Sequence, residues 1–202
     1  MEKYFVVRYE GPFGFIKPWT AVRDGGDPKN IHTYSQQFLT PSIIEGMEKK
    51  LFPELLDEKF NGKIQKIKGH RLNYQGLDGQ LEKAWSKGEV SKKIENNTYK
   101  HRNPSIIVRG VLLNPHLYLA FENDLDANNA MTQTLCLCRN EDIVFPMEKI
   151  EFSINDFDAI DGFELIFTDD QNGFKVGHNR FNNAVEMYGE LKVFGNPIRS
   201  EI

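Results

Sequence analysis

The sequence predicts an α+β fold built on an antiparallel sheet, and three observations carry that expectation. Segments of strong β propensity recur along the chain, beginning with Lys3–Tyr9 (KYFVVRY) and Ser105–Leu113 (SIIVRGVLL). Fifteen phenylalanines fall largely at alternating or turn-flanking positions, as a sheet-rich core requires. The strands enclose few helices and do not alternate regularly with them, which excludes a parallel doubly wound sheet. At 202 residues and 40% hydrophobic content, one domain with a full core is expected.

The first strand turns at Gly11-Pro12-Phe13-Gly14, and the chain resumes as an irregular or edge strand over 15–22, where Pro18 removes a ladder donor. Residues 23–30 (RDGGDPKN) are a loop by composition. The stretch from Gln36 to Pro53 then reads as an extended lead into one amphipathic helix. Thr40 suits the N-cap and Pro41 the first helical position. Ile43, Ile44, Met47, Leu51 and Phe52 supply the apolar face, and Pro53 closes the helix. Glu45 and Glu48 precede Lys49 and Lys50, the order that the helix dipole favours. Gly46 costs about 1 kcal/mol against alanine inside a helix, so a close backbone approach is expected there.

Between residues 54 and 103 the pattern weakens. Residues 63–72 (KIQKIKGHRL) alternate apolar and basic, as in one strand of an exposed hairpin. Residues 74–79 read as a turn, 81–85 as a short helix and 91–97 as a mobile polar stretch. Beyond the strand at 105–113, residues 117–121 form a short strand and Asp124–Met131 (DLDANNAM) has helix-start chemistry. Residues 133–139, 151–154 and 163–167 are further strands. A tight turn falls at Asn172-Gly173, and the strand-like ELKVF closes 185–194. DFDAID and TDDQNG read as solvated turns.

The net charge is −4, which argues against wholesale nucleic-acid binding, yet it conceals an asymmetry. Residues 61–110 carry 11 Lys/Arg against four acids, whereas 120–170 carry 13 acids against only Arg139 and Lys149. A basic half of this kind suits phosphates. Arg139 has Glu141 and Asp142 as ready partners, and Arg8 reads as a solvent-side strand residue. No apolar run reaches the roughly 18 residues a membrane helix needs, and no signal-peptide pattern opens the sequence. Cys136 and Cys138 are the only cysteines; an i, i+2 disulfide is strained, so reduced thiols in a cytoplasmic protein are expected. There is no P-loop, dinucleotide fingerprint, HExxH, GxSxG or EF-hand loop, and the five histidines lack metal-like spacing, so no cofactor or metal is expected.

The order of motifs resembles a known family. Gly11-Pro12-Phe13, the segment 15–18, Tyr34, and Leu39-Thr40-Pro41-Ser42 through Gly46 to Pro53 are similar to the opening of the CRISPR-associated RAMP proteins of the fifth family. These are the crRNA 5′-handle subunits of type I Cascade-like effector complexes. Two further patches, 109–119 (RGVLLNPHLYL) and 133–146 through Leu137-Cys138-Arg139 and Pro146, resemble the family's central strand pair and a later segment. The resemblance implies a ferredoxin-like, RNA-recognition-motif-like sheet with an inserted β-hairpin thumb, here at about 60–103. It implies a crRNA-binding subunit that grips the 5′ handle and caps the backbone filament in antiviral defence. Its partners would be crRNA, the backbone and large subunits and, through the complex, target DNA, with no membrane. Lys17, Trp19, Arg23, Lys92, Lys93, Arg102 and Arg109 are the candidate RNA contacts, and Trp19, Tyr34, Tyr74 or Trp85 could stack on handle bases.

One branch of that family cleaves pre-crRNA without metal, using a tyrosine near T-P-S and a lysine–histidine pair before the central strand. Tyr34, Lys100 and His101 occupy roughly those places, although Gln36 stands nearer than Tyr34 to the tyrosine's usual position. A histidine or tyrosine would assist deprotonation of a ribose 2′-hydroxyl while the lysine steadies the phosphate charge. A non-catalytic RNA-binding subunit is the favoured expectation. The alternatives are this endoribonuclease and an acidic protein-interaction module with no RNA role.

Overall fold

A computed structural model describes residues 3–18, 32–94, 97–168, 173–179 and 183–199, with residues 84–105 and 179 described by backbone only. Two sheets account for most of the chain. Eight antiparallel strands run in the order β11-β12-β10-β4-β7-β1-β9-β8, and a smaller sheet combines β2, β3, β5 and β6. Their ranges are β1 Lys3–Glu10, β2 Phe13–Gly14, β3 His32–Tyr34, β4 Ile67–Asn73, β5 Gly76–Ile94 and β6 Asn97–Leu113. The remainder are β7 His116–Phe121, β8 Leu135–Cys136, β9 Ile143–Ser153, β10 Gly162–Thr168, β11 Phe174–Asn179 and β12 Val185–Phe194.

Strand β1 is buried on both faces through the adjacent pair Val6 and Val7, which explains its central place between β7 and β9. Val7 and Tyr9 face the main core, and the Tyr9 hydroxyl donates to the Ala130 carbonyl at 2.7 Å. Two helices cover that face: α1, Pro41–Leu51, and α2, Asp124–Met131. Ile44, Met47 and Leu51 point into the core at helical spacing, and each such burial stabilises by about 1.5–3 kcal/mol. Glu48 is buried beside them; its carboxylate accepts backbone N–H bonds from Gln65, Lys66 and Ile67 and so fixes where β4 begins. The Asn123 side chain caps α2 by accepting from the Asp126 amide at 2.8 Å.

Several local expectations change. A Cβ on Gly46 would meet nothing within 4 Å, so this glycine faces open space rather than a close backbone approach. Thr40 takes the N-cap position without a side-chain cap bond, and the first turn of α1 holds no acid. After Phe13–Gly14 the described chain to Pro18 is not a strand, and residues 19–22 lie outside the described residues. The strand expected at 133–139 is confined to Leu135–Cys136. Asn172 is also outside the described residues.

DFDAID is not a solvated turn. Residues 154–158 form a short helix, α3, opened by a capping box between Ser153 and Asp156. Its Phe157 packs with Val6 and Ala120 on the sheet face opposite α1 and α2. There Arg71, 1% exposed, lies between the Phe157 and Phe194 rings at 4.5 and 3.5 Å from their centroids. Its guanidinium pairs with Glu164 and, at 2.9 Å, with Asp158. The segment 63–72 is therefore no exposed hairpin strand: from Ile67 it belongs to the nearly all-buried β4, where Glu164 of β10 accepts the His70 amide and Asp158 of α3 takes Arg71.

The two central strands β4 and β7 also run on past the sheet. β4 continues into β5 and β6 into β7 as one antiparallel ribbon, with a kink where Asn114 adopts φ 44°. At the kink the Gln75 amide donates to the Leu113 carbonyl at 2.8 Å. Strands of 19 and 17 residues thus replace the short helix expected at 81–85, all but the first two residues of the turn expected at 74–79, and the described part of the polar stretch expected at 91–97. The hairpin spans 76–113 rather than 60–103, because its inner portion is made by the strand residues 103–113 and not by 60–75. Among the described residues no helix is long and apolar enough to cross a membrane.

Candidate nucleic-acid interface

Directly paired residues of a sheet share a face, and faces alternate along each strand. Gly79 pairs with Gly110, Leu81 with Val108 and Lys83 with Ile106, while the parallel strand β3 sets His32 against Val108 and Tyr34 against Gly110. His32, Tyr34, Leu81, Lys83, Val108 and Ile106 therefore share one face at the base of the ribbon. That face is open: Tyr34 is 63% exposed and Leu81 71%. Gly110 has no side chain, and the Tyr34 ring takes the place that a Cβ there would occupy. A Cβ on Gly110 would stand 2.9 Å from Tyr34 Cε1 and closer still to Cδ1. The lead to Tyr34 is fixed by Ile16, whose amide donates to Ser35 Oγ at 2.9 Å and whose carbonyl accepts from the Gln36 amide at 2.9 Å. An exposed aromatic on a rigid strand, rimmed by apolar side chains and a lysine, is the arrangement on which unpaired bases stack.

The opposite face is structural. Arg109 pairs with Glu82 and stands 5.0 Å from the centroid of the Phe15 ring, which Arg139 also approaches, to 5.1 Å. The Arg109 hydrogen bond holds the Glu82 carboxyl below its usual range. Arg109 thus makes a structural salt bridge within the fold. Arg139 takes both of its expected partners, Asp142 through Nε at 2.8 Å and Nη2 at 2.6 Å, and Glu141 with Nε 3.4 Å from its carboxylate. Asp142 is fully buried, so this pair is more than a surface contact. Arg8 likewise pairs with Glu10 and Glu148.

Lys17 is exposed, next to the Ile16 segment that leads to Tyr34. Trp19 and Arg23 lie outside the described residues. Lys92, Lys93, Lys100, His101 and Arg102 lie on the outer ribbon, where Ser91 pairs with Lys100, Val90 with His101 and Lys92 with Tyr99. Tyr34 is in register with Gly110, nine residues along β6 from His101. At about 3.3 Å per residue this is about 30 Å of strand, further than two side chains span. The structure does not bring Tyr34 together with Lys100 and His101. His32, Lys83, Leu81 and Ile106 were missed as site residues; the available signal was their period-2 alternation once β5 and β6 are read as paired strands.

A second concavity, of about 750 Å³, lies between α1 and β10–β12, lined in part by Ser42, Gly46, Ile64, Phe167 and Met187. Its charged groups are matched to one another: Lys49 bonds Glu45 at 2.7 Å and Asn61 at 2.6 Å, and the Gly62 amide bonds Glu45 at 2.9 Å. Among the described residues no group of three or more His, Cys, Asp or Glu side chains is placed to hold a metal ion. Comparison with known proteins gives no matching family model and no matching curated sequence.

Proposed function

We propose that the chain is a non-catalytic RNA-binding subunit that grips the 5′ handle of a crRNA in a type I CRISPR surveillance complex. The observation that carries this reading is the open Tyr34 face at the root of a ribbon rich in cations. From residue 83 to 102 the ribbon has six Lys/Arg, namely 83, 87, 92, 93, 100 and 102, against Glu89 and Glu95. Bases would stack on Tyr34 while ribbon lysines, Lys92 and Lys93 among them, take the phosphates.

The ferredoxin-like assignment is part of the proposal, and the central topology supports it. In chain order the elements β1, α1, β4, β7, α2 and β9 alternate as strand, helix, two strands, helix and strand. Their strands lie side by side as β9-β1-β7-β4, all antiparallel, with both helices on one face. The ribbon extends the middle two strands of that unit, where a thumb belongs. Backbone and large subunits of the complex, and target DNA through them, are the proposed partners, in the cytoplasm. Cleavage is disfavoured by the 30 Å of strand between Tyr34 and the Lys100–His101 pair. An acidic interaction module is disfavoured at α1, where Glu45 is paired and Glu48 buried.

The test is binding and integrity of labelled CRISPR-repeat RNA in EDTA. The expected result is intact RNA, with affinity that falls steeply between about 50 and 200 mM salt. Replacing Lys92 and Lys93 by alanine weakens binding across sequences and lowers the salt slope by about one per lost phosphate contact. A single cleavage product abolished by His101→Ala would establish the endoribonuclease instead, and absence of binding at low salt would overturn the RNA reading.

A further inference from the structure

We propose that Arg139 is a positioning residue that sets the direction in which the β5–β6 ribbon leaves the sheet. At its base the ribbon is supported by β2 and β3 beside β6, and at the kink by residues 197–199, which bond the Tyr74 backbone. Outward of Val108 only β5 and β6 pair among the described residues, and a two-stranded ribbon is the most freely twisting form of sheet, so a brace on the β5 side helps to hold its direction. From Glu82 to Ile94 it projects about 40 Å, so a rotation of about 10° at the base carries the tip about 7 Å. Cations on the outer ribbon reach their phosphates only if that angle is held.

The brace comes from the turn between β8 and β9. The turn is closed by the Leu137 amide on the Asp142 carbonyl at 3.0 Å and the Asp142 amide on the Arg139 carbonyl at 3.1 Å. Asp142, fully buried, also accepts the Arg139 amide at 3.0 Å and the Nε–Nη2 edge of its guanidinium. Held this way, the guanidinium has little freedom left, and its outer side faces the ribbon. Nη2 donates to Gln80 Oε1 at 3.3 Å, and Nη1 stands 3.6 Å from Glu82 Oε2. Glu82 is shared with Arg109, and the two guanidiniums stand 5.0 and 5.1 Å from the centroid of the buried Phe15 ring. Gln80 and Glu82 alternate on the ribbon face away from Tyr34, so the brace leaves the stacking face open. A planar cation that is fixed bidentately on one side and stacks on a ring does what lysine does not.

The consequence for RNA rests on the handle-binding reading; the brace itself does not. Spin labels at Ser91→Cys and Glu122→Cys, in a Cys136→Ser, Cys138→Ser background, report the ribbon-to-sheet distance by pulsed electron resonance. The parent should show one narrow distribution, and Arg139→Ala should broaden or shift it by several ångströms, with Arg139→Lys restoring it only in part. If Arg139→Ala does not fold, the pair Gln80→Ala and Glu82→Gln frees the ribbon while the Arg139–Asp142 turn stays intact, and should broaden it equally. Folded variants with the parent's distribution overturn the proposal. In the same proteins RNA affinity should fall about tenfold with an unchanged salt slope, because no phosphate contact is removed. A changed distribution with equal RNA affinity in parent and variants would overturn the link to RNA and leave the brace standing. A parent that binds no RNA would overturn the handle reading alone, since the distance measurement stands apart from it.

Discussion

Replacing Gly110 by alanine separates the stacking platform from the stability of the sheet that carries it. The new Cβ meets three atoms of the Tyr34 ring, Cε1 at 2.9 Å and Cγ at 3.1 Å among them, and no other residue is as close. Overpacking of a closed core costs about 1–3 kcal/mol, but Tyr34 is 63% exposed and its ring can swing into solvent. Against that small cost stands a gain of about 0.5–1 kcal/mol from removing a glycine within a strand. The two offset, so the urea midpoint should stay within about 1 kcal/mol of the parent. RNA affinity should not. Stacking of a base on an aromatic ring contributes about 1–3 kcal/mol, so losing the flat ring should weaken binding by about 5- to 150-fold. Tyr34→Ala should give a loss of the same size, and the double substitution should add nothing further. If Gly110→Ala binds like the parent while Tyr34→Ala does not, the ring acts in another pose. If neither substitution weakens binding, the open face is not a base platform. A Gly110→Ala protein destabilised by more than about 3 kcal/mol would mean that the ring is locked in place, which its exposure contradicts.

Two further predictions concern the buried polar side of the sheet. Glu164→Ala leaves Arg71 short of its main partner and removes the acceptor of the His70 amide, held at 2.9 Å, so it should cost about 3–5 kcal/mol in a urea titration. Arg71→Met combined with Glu164→Gln should recover part of that loss; no recovery would mean that the pair is not the source of the cost. His70 is held to about 3 by burial and then by the Arg71 charge, while the unfolded chain titrates near 6.5. The unfolded state therefore binds a proton that the native state refuses, and stability falls as pH drops from about 6.5 toward 3, by about 2 kcal/mol at pH 5. His70→Leu should flatten the limb between pH 6.5 and 5, since Nε2 has no hydrogen-bond partner to lose. An unchanged slope would assign that limb to other groups.

Elements with a local signature were legible in the sequence; those whose logic is long-range were not. β1 follows from the β propensity of residues 3–9, α1 from Ile44, Met47 and Leu51, and α2 from the helix-start chemistry of 124–131, all of them local. β4 defeated a periodicity reading because His70 and Arg71 are polar and yet buried. Arg71 is satisfied by Asp158 and Glu164, which are 87 and 93 residues away. The outer ribbon has no amphipathic signature, since its strands are held chiefly by each other, and so it read as helix, turn and coil. At the site, the sequence supplied Tyr34 but not its setting. Neither the seat of Tyr34 on Gly110 nor the alignment of His32 with Val108 exists until β3 is placed parallel to β6. The same register separates Tyr34 from Lys100 and His101, which adjacency to shared motifs had grouped together.

Net charge was the weakest guide, and the structure explains why it misleads. Of the basic residues in 61–110, Lys66 is matched by Glu54 and Asp126, Lys68 by Glu122, Arg71 by Asp158 and Glu164, and Arg109 by Glu82. Several of these acids come from the strongly acidic half, so much of the asymmetry along the chain cancels across the sheet. Along residues 84–102 the sequence itself carries five Lys/Arg, at 87, 92, 93, 100 and 102, against Glu89 and Glu95. At physiological ionic strength the Debye length is about 8 Å, so a phosphate near the ribbon tip responds to the cations beside it and not to the charge of the whole molecule. An overall charge of −4 is therefore compatible with a cationic reach, provided that the ribbon is long and its direction is held. That condition gives the Arg139 brace a functional meaning beyond stability.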